Sequence, residues 1–371
     1  MIMKAPFNNV FSNKKTLITG HTGFKGSWLS VWLLKLGASV FGLSKDIPTN
    51  PSMFKDLRLK NKLVHFNEDV RNLDSLTSII KKTKPDFIFH LAAQPLVSVS
   101  YENPIETIST NVIGTSNILE AVRASNHNCI IIIITSDKCY DNLELNRGYS
   151  ETDILGGKDI YSGSKGAAEL VFKSYYHSFF LTDNSKVKCV SVRAGNVIGG
   201  GDWAKDRIVP DCIRAWSKNE PVSIRNPEAT RPWQHVLEPL SGYLMLGQTL
   251  FEESSLSGQS FNIGPAEDCD FNVEEIINDL SKEWGFRDIT EAYSIVDISE
   301  FHEAGLLKLN CDKALSLFGW QPTLNYEQLI EFTGSWYFNY YNKRSNMYDY
   351  TLNQIDRYEQ QAFDRSIKWI K

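Results

Sequence analysis

The sequence has few of the features that place a protein in a membrane or outside the cell. No stretch approaches the ~20 consecutive apolar residues of a membrane helix. The segment from Met1 to Phe11 has no apolar core before a small-residue cleavage site, so it does not predict a secretory signal. The 371 residues include only six cysteines, and none of them forms a CxxC pair. We therefore expect a cytoplasmic protein with reduced thiols.

Positive charge and metal-ligating residues are also sparse. The chain has 39 Lys and Arg against 44 Asp and Glu, a net charge of −5, which argues against a nucleic-acid-binding protein. The seven histidines are as scattered as the cysteines, so we expect no metal site. The remaining composition, 42% hydrophobic and 22% charged, is typical of a globular protein with one large or two medium domains.

Short apolar runs alternate with longer amphipathic ones over the first half of the chain. The predicted strands are Lys15–Thr19, Ala38–Leu43, Lys62–Phe66, Asp86–His90, Cys129–Thr135 and Val187–Arg193. The predicted helices are Gly26–Leu36, Leu73–Thr83, Pro104–Ala124 and Asp159–Phe180. This alternation predicts an α/β fold with a doubly wound, Rossmann-type parallel sheet.

A glycine-rich loop joins the first strand to the first helix. Glycines at this spacing permit a tight turn and let backbone N–H groups approach a pyrophosphate, to which the helix N-terminus adds positive potential. The alternative is a plain glycine-rich turn. The loop predicts a dinucleotide site formed by Gly20, His21, Thr22, Gly23, Phe24, Lys25 and Gly26.

The end of the second strand leaves the choice between NAD and NADP open. Ser44 and Lys45 favour NADP, whereas Asp46 could bind the adenosine ribose of NAD from slightly beyond the strand. His21 and His90 are expected to be packed rather than catalytic.

Residues after the third and fourth strands are further candidates for cofactor contacts. Asp69 and Val70 are placed to contact the adenine, although Asp69 could equally cap the helix Leu73–Thr83. Ala92 and Gln94 follow the fourth strand, and we expect them to line the cofactor site.

One tyrosine has a lysine one helical turn further along the chain. Of the 15 tyrosines, only Tyr161 has a lysine, Lys165, at the fourth position after it. Both side chains then face the same way, and a neighbouring ammonium lowers the pKa of a tyrosine by favouring the phenolate. We predict a catalytic pair, with a non-catalytic i,i+4 pair on the helix surface as the alternative.

A hydroxyl, a carboxyl and an amine follow one another at the end of the isoleucine-rich strand. These are Ser136, Asp137 and Lys138. Open α/β sheets bind their ligands at the carboxyl ends of the strands, so these residues are predicted to be catalytic. The alternative is a solvated loop in which Ser and Asp serve as turn residues.

The pattern changes after Arg193. Loops rich in Gly, Trp and Pro alternate with shorter helices, which indicates a smaller substrate domain built onto the nucleotide-binding sheet. We predict a dinucleotide-binding domain over 1–193, with chain crossing back from later segments, a substrate-binding domain over 194–343, and a tail over 344–371. The tail is expected to pack on the body or a partner subunit, or to be partly disordered. It carries a loose apolar stripe of Leu352, Ile355, Phe363, Ile367 and Ile370.

From Lys14 to about Tyr340 the chain resembles the nucleotide-sugar 4,6-dehydratases of the extended short-chain dehydrogenase/reductase family. Most members have Asp-Glu where this chain has Asp137-Lys138, and the members that act on CDP-glucose have the lysine. The most selective segments are Gly20-His-Thr-Gly-Phe-Lys-Gly-Ser-Trp28, Thr135-Ser-Asp-Lys-Cys-Tyr-Asp-Asn142, Gly199-Gly-Gly-Asp-Trp203, Arg231-Pro-Trp-Gln-His-Val-Leu-Glu-Pro239 and His302-Glu-Ala304.

The resemblance implies a redox-neutral dehydration of CDP-glucose on bound NAD. Tyr161, kept acidic by Lys165, would take the 4-hydroxyl proton as hydride leaves C4, while Ser136 would hydrogen-bond the 4-oxygen. Lys138 would remove the C5 proton and Asp137 would protonate the departing 6-hydroxyl, before hydride returns to C6. Lys138 must be neutral for this role, and we expect burial beside Lys165 or other cations to lower its pKa.

The resemblance also implies substrate contacts and partners. Asn196, Arg207, Arg231 and His302 are candidates for the nucleotide and sugar, since arginine suits bidentate contact with a diphosphate. A homodimer or tetramer is expected, with a role in deoxysugar synthesis for cell-surface polysaccharide. The alternatives are a 4-epimerase or a GDP-mannose dehydratase of the same fold, and more remotely a non-catalytic NAD-binding scaffold.

Overall fold

The computed structural model describes residues 5–182, 184–265, 270–296, 307–343 and 346–370. The strands are β1 (Lys15–Thr19), β2 (Ser39–Ser44), β3 (Val64–Asn67), β4 (Phe87–His90), β5 (Cys129–Ile134), β6 (Val187–Ala194), β7 (Val197–Ile198), β8 (Val222–Ile224), β9 (Thr230–Pro232), β10 (Gln234–His235), β11 (Ser260–Ile263), β12 (Asp270–Asn272) and β13 (Tyr293–Ile295). The α-helices are α1 (Phe24–Lys35), α2 (Met53–Asp56), α3 (Leu73–Thr83), α4 (Val97–Glu102), α5 (Pro104–Ile108), α6 (Gly114–Ser125), α7 (Ile160–Tyr175), α8 (Ile208–Trp216), α9 (Leu237–Glu252), α10 (Val273–Trp284), α11 (Asp312–Phe318), α12 (Tyr326–Phe338) and α13 (Met347–Asp364).

The central sheet has seven parallel strands in the order β11-β6-β5-β4-β1-β2-β3. The α/β doubly wound fold and all six predicted strands are confirmed, with small shifts at their ends. The strand order reverses between β1 and β4, which opens a crevice at the carboxyl edge of the sheet. Ligands of such folds bind at this switch point.

Helices cover both faces of the sheet, as the isoleucines of β5 show. Ile130, Ile132 and Ile134 pack into the core that contains α1 and α9, while Ile131 and Ile133 pack into the core of α3, α6 and α7. Successive residues of a strand point to opposite faces, so an unbroken apolar run is required when both faces are covered.

Each of two predicted helices contains a π-helical turn in addition to regular α-helix. The predicted helix Pro104–Ala124 is α5 and α6 joined by a π-helical turn, Ser109–Ile113. The predicted helix Asp159–Phe180 is α7 followed by a π-helical turn, Tyr176–Phe180. The sequence pattern is helical throughout, and such turns are typically found near functional sites.

The second half of the chain adds to the sheet as well as to the smaller part of the molecule. β11 pairs with β6, and α9 packs on the sheet, so both complete the nucleotide-binding layer. The strand pairs β7–β10, β8–β13 and β9–β12 lie outside it with α8, α10 and α12. The domain division, with its boundary at residue 193 and the crossing back of later segments, stays a prediction.

The C-terminal helix α13 packs on α1. Trp32 Nε1 donates to Glu359 Oε1 at 2.8 Å, and Lys35 forms an ion pair with the same carboxylate. The Trp369 ring stacks on Phe7 with 4.7 Å between centroids. The described part of the chain contains no helix that is long and apolar enough to span a bilayer.

Candidate active site

Two glycines of the loop between β1 and α1 are required by their surroundings. Gly20 has a φ of 76°, and a Cβ there would lie 2.8 Å from the backbone nitrogen of Ala92. A Cβ on Gly26 would overlap the carbonyl oxygen of Gly20. α1 begins after Gly23 with neither a side-chain cap nor an acidic residue in its first turn. The loop therefore presents backbone N–H groups and positive potential to an anion, as a dinucleotide pyrophosphate requires.

The side chain of His21 anchors this loop to β2 and β3. It is fully buried, with Nδ1 3.0 Å from Ser44 Oγ and Nε2 2.8 Å from His65 Nδ1. Its ring fills the space where a side chain at Gly42 would lie. Burial, together with the neighbouring His65, lowers the pKa of His21 to about 4. His21 is thus a neutral, packed side chain, as predicted.

His90 and Thr22 are also held by protein contacts. His90 lies between two hydroxyl groups, 2.8 Å from Thr19 Oγ1 and 3.2 Å from Thr115 Oγ1, and the prediction that it is packed is confirmed. Thr22 Oγ1 donates to the carbonyl of Asp46 at 2.7 Å and ties the glycine loop to the end of β2.

Asp69 does not cap α3, because Asn72 does so by accepting from Ser75 N at 3.2 Å. Asp69 instead accepts from the guanidinium of Arg71, with Oδ2 3.0 Å from Nε and 2.6 Å from Nη2. The hydrogen bonds from Arg71 lower the pKa of Asp69 despite its partial burial. The Asp69 carboxylate is therefore partly exposed and forms an ion pair with Arg71.

Val70, Ala92 and Gln94 lie along the same edge of the sheet. Val70 is buried, and a Cβ on Gly114 would meet its methyl group at 2.8 Å. Ala92 N donates to a threonine hydroxyl at 3.2 Å and is half-buried. The amide of Gln94 donates to Thr107 Oγ1 at 2.8 Å and accepts from Leu96 N at 2.6 Å. These hydrogen bonds of the Gln94 side chain stabilise the loop that follows β4.

Three of the predicted catalytic residues, Ser136, Asp137 and Tyr161, lie together above the end of β5. Ser136 and the 3-10 turn Asp137–Cys139 follow the strand directly, and α7 packs against this turn. Asp159 caps α7 by accepting from Ser162 N at 2.9 Å, which places Tyr161 and Lys165 in its first two turns. Ser136 Oγ donates to Asp137 Oδ1 at 2.7 Å and also hydrogen-bonds Tyr161. Tyr161 and Lys165 are only 7% and 6% exposed.

The expected acidification of Tyr161 by Lys165 is not found. Burial raises the pKa of Tyr161 to about 12, although the hydrogen bond with Ser136 and the positive charge of Arg207 oppose it. Burial lowers the pKa of Lys165 to about 8, so its amine holds its proton less firmly than an exposed lysine. The prediction allowed for the charge of the lysine and did not allow for the desolvation of both groups.

Lys138 and Lys25 also differ from expectation. The side chain of Lys138 is partly exposed, so the predicted burial is incomplete, and its backbone N–H donates to Asp137 Oδ1 at 2.8 Å. Lys25, predicted only as part of the cofactor loop, lies within electrostatic range of Asp137, Lys165 and Arg207. Burial, reinforced by Arg207, lowers the pKa of Lys25 to about 8.

A buried ion pair lies beneath the turn Asp137–Cys139, and it was not predicted from the sequence. Arg193 on β6 donates from Nη2 to Glu169 on α7 at 2.8 Å, and Thr135 Oγ1 donates to the other carboxylate oxygen at 2.6 Å. Arg193 Nη1 also donates to Tyr140 Oη at 2.7 Å. An arginine inside an apolar strand was the available signal, because a buried charge requires a partner.

The four predicted substrate residues are only partly gathered at this site. Arg207, the N-cap residue of α8, forms a 2.8 Å ion pair with Asp202 and acts electrostatically on Tyr161. Asn196 is half-buried just after β6. Arg231 lies on β9 and donates to the carbonyl of Thr230 at 2.9 Å. His302 lies outside the described residues. Within the described ranges no group of His, Cys, Asp and Glu could hold a metal ion.

Comparison with known proteins defines the class. The family model for GDP-mannose 4,6 dehydratase matches residues 17–333, and the chain belongs to this family. It is 48% identical over 318 residues to CDP-glucose 4,6-dehydratase of Salmonella typhimurium, covering 85% of this chain and 88% of the relative.

Solved structures with low sequence identity share the fold. The UDP-glucose 4-epimerase of Thermotoga maritima, solved with UDP-glucose, superimposes with a TM-score of 0.75 at 20% identity, covering 88% of this chain and 99% of the other. The dTDP-glucose 4,6-dehydratase of Streptomyces venezuelae, solved with NAD and TYD, gives 0.74 at 18% identity and covers 89% and 98%.

Proposed function

We propose that the protein is a CDP-glucose 4,6-dehydratase, an NAD-dependent hydro-lyase that converts CDP-D-glucose into CDP-4-keto-6-deoxy-D-glucose and water. The observation that carries the proposal is that Asp137, the residue before Lys138, lies within electrostatic range of Tyr161 at the carboxyl edge of the sheet. The 48% identity to a CDP-glucose 4,6-dehydratase supports the choice of substrate. An epimerase would need no acid and amine for chemistry at C5 and C6.

The glycine loop and the crevice beside it fit a bound NAD. Gly20, Gly23 and Gly26 would let backbone N–H groups approach the pyrophosphate, and Asp69 and Val70, which follow β3, would contact the adenosine. When bound, NAD would accept a hydride from C4 of the sugar and later return it to C6.

Tyr161 and Ser136 would act on the 4-hydroxyl group. Tyr161 is buried and hydrogen-bonded to Ser136, and in its ionised form its oxygen would accept the proton of the sugar hydroxyl. Because burial raises the pKa of Tyr161 to about 12, its phenolate requires compensating positive charge. Arg207 supplies part of this charge.

Asp137 and Lys138 would carry out the elimination across C5 and C6. Asp137 is 4% exposed, and its Oδ1 accepts from Ser136 and from Lys138 N. These contacts fix the carboxyl group and leave Oδ2 to act on the departing 6-hydroxyl. Lys138 is the only one of the three residues at this strand end that is partly exposed, which suits an amine that must exchange its proton with solvent between turnovers.

Substrate binding is proposed to depend on arginines and neighbouring polar groups. Arg207 is held by Asp202 at the base of α8, which presents its guanidinium close to Tyr161. A guanidinium can contact a diphosphate through two parallel hydrogen bonds. Asn196, Arg231 and His302 remain candidates for the nucleotide and sugar.

We also propose that the chain forms a homodimer or tetramer in the cytoplasm. Large apolar side chains are exposed along α5, the π-helical turn after it and α7, where Ile105 is 75%, Ile113 50% and Leu170 55% exposed. These elements pack against one another, and a cluster of exposed apolar side chains is typical of subunit interfaces.

The proposal is tested by incubating the purified protein with glucose linked to CDP, UDP, GDP or dTDP. The expected result is a product with the alkali-induced absorbance of a 4-keto sugar, formed fastest from CDP-glucose. A product that lacks this absorbance and has an inverted C4 would support a 4-epimerase. No reaction with any of the four, in protein that binds NAD, would contradict the dehydratase assignment.

A further inference from the structure

Four charged side chains form a network beyond the carboxyl ends of β2 and β3. Lys45 Nζ lies 2.8 Å from Glu106 Oε1, and Arg71 Nη2 lies 3.9 Å from the same oxygen. Arg71 also makes paired hydrogen bonds to Asp69. Glu106 therefore contacts both cations, although it comes from a different element of the fold.

The position of the network relates it to the adenosine ribose. Lys45 directly follows the last residue of β2, and Asp69 and Arg71 follow β3, which pairs with β2. In doubly wound nucleotide-binding folds the end of the second strand faces the ribose 2′-hydroxyl, and an arginine nearby can accommodate a 2′-phosphate. Lys45 and Arg71 are thus the cations that an NADP phosphate would need.

Lys45 and Arg71 are each already paired with a carboxylate. Two positive and two negative side chains make the network electrically neutral, so a 2′-phosphate would have to displace Glu106 and would face a carboxylate. The hydrogen bond from Lys45 lowers the pKa of Glu106, which keeps this carboxylate ionised near neutral pH. A free 2′-hydroxyl imposes neither cost, because it carries no charge.

We infer that Glu106 is a cofactor-specificity residue, which favours NAD over NADP by holding Lys45 and Arg71 in ion pairs. The inference rests on the proposed dinucleotide site and adds to it. It resolves the ambiguity at the end of β2, where Lys45 by itself favours NADP. The first turn of α5, which begins at Pro104, fixes Glu106 in front of the two strands.

The test is to compare binding of two ligands that lack nicotinamide. Protein freed of bound nucleotide is titrated calorimetrically with ADP-ribose and with 2′-phospho-ADP-ribose. For the unchanged protein we expect tighter binding of ADP-ribose. For Glu106→Gln we expect the preference to fall on the order of tenfold, mainly through tighter binding of the 2′-phosphorylated ligand.

Two further variants make the result specific. Glu102→Gln removes an exposed glutamate on the adjacent α4 outside the network, and it should leave the preference unchanged. Adding Lys45→Gln to Glu106→Gln should reverse most of the gain for the 2′-phosphate, since it removes a released cation. An unchanged preference in Glu106→Gln, with both ligands still bound, would overturn the inference alone. Failure of every variant and of the unchanged protein to bind either ligand would overturn the dinucleotide site itself.

Discussion

Arg193 Nη2 donates a 2.8 Å hydrogen bond to Glu169 Oε2, and neither side chain has exposed surface. The same carboxylate accepts from Thr135 and from Ser191 Oγ, the latter at 2.8 Å. The pair therefore ties α7, which carries Tyr161, to the two strands whose ends form the site. It holds α7 in position beneath the proposed catalytic groups.

Breaking this pair should destabilise the protein strongly. Removal of one partner leaves an unpaired buried charge, and Arg193→Met should therefore lower the free energy of unfolding by about 3–5 kcal/mol. Arg357→Met is the matched control, since Arg357 pairs with Glu331 on the surface, and it should cost at most about 1 kcal/mol. Urea unfolding followed by circular dichroism measures both. Equal losses in the two variants would show that the buried pair does not have this role.

Lys138→Ala should block the elimination without removing the cofactor. We expect kcat for the 4-keto product to fall by about 10²–10⁴-fold, the usual contribution of one general base, while NAD still binds. Lys158→Ala, at an exposed lysine just before α7, serves as the control and should retain full activity. Turnover by Lys138→Ala at the rate of this control would show that another group removes the C5 proton.

The stability of the protein should fall as the pH rises toward neutrality because of Glu238. This buried carboxyl accepts from Leu324 N at 2.6 Å and from Tyr358 Oη at 2.8 Å, and burial raises its pKa from 4.5 to about 7. Between these values the folded protein keeps a proton that the unfolded chain has released. Its contribution is therefore complete below about pH 4.5 and is lost, at no more than about 1.4 kcal/mol per pH unit, as the pH rises through 7.

Glu238→Gln should remove this part of the pH dependence. The amide oxygen can still accept from the backbone N–H groups, and the amide nitrogen can donate to Tyr358 Oη, at any pH. Thermal unfolding at about pH 5 and about pH 7.5 is the measurement. The unchanged protein should lose more in Tm between the two than Glu238→Gln does, and the exposed Glu327→Gln should behave like the unchanged protein. Parallel Tm values for all three would contradict the assignment.

A charge on the exposed face of α7 should weaken subunit association. Leu170 is 55% exposed, so Leu170→Glu is expected to leave the fold intact and to shift the protein toward monomer. Size-exclusion chromatography with light scattering reports the molar mass directly. Glu252→Gln on α9, away from this face, is the control. A monomeric unchanged protein, or an unchanged oligomer in Leu170→Glu, would show that this surface is not the interface.

Much of the fold could be predicted because both faces of the sheet are covered. Strands such as β5 must then be continuously apolar, and this leaves a clear signal in the sequence. β11 was missed because it is short and contains two buried polar residues, Ser260 and Asn262, whose hydrogen bonds are supplied by distant segments. Nothing local in the sequence indicates those partners.

The location of the site could be predicted, and its electrostatics could not. Strand ends and helix spacing were sufficient to bring Ser136, Asp137 and Tyr161 together. The pKa of Tyr161 depends on burial by segments far along the chain and on Arg207, so local spacing gave the wrong direction. The contact between Lys45 and Glu106 joins residues 61 positions apart, and only the assembled sheet reveals it.

The most direct test of the proposed chemistry follows a label from C4 to C6. CDP-glucose carrying deuterium at C4 is incubated with the protein, and the product is examined by mass spectrometry and NMR. The account predicts that the deuterium is retained at C6 within the same molecule and that, in D₂O, a solvent deuteron enters at C5. Deuterium that stays at C4, or that is lost to solvent, would contradict it.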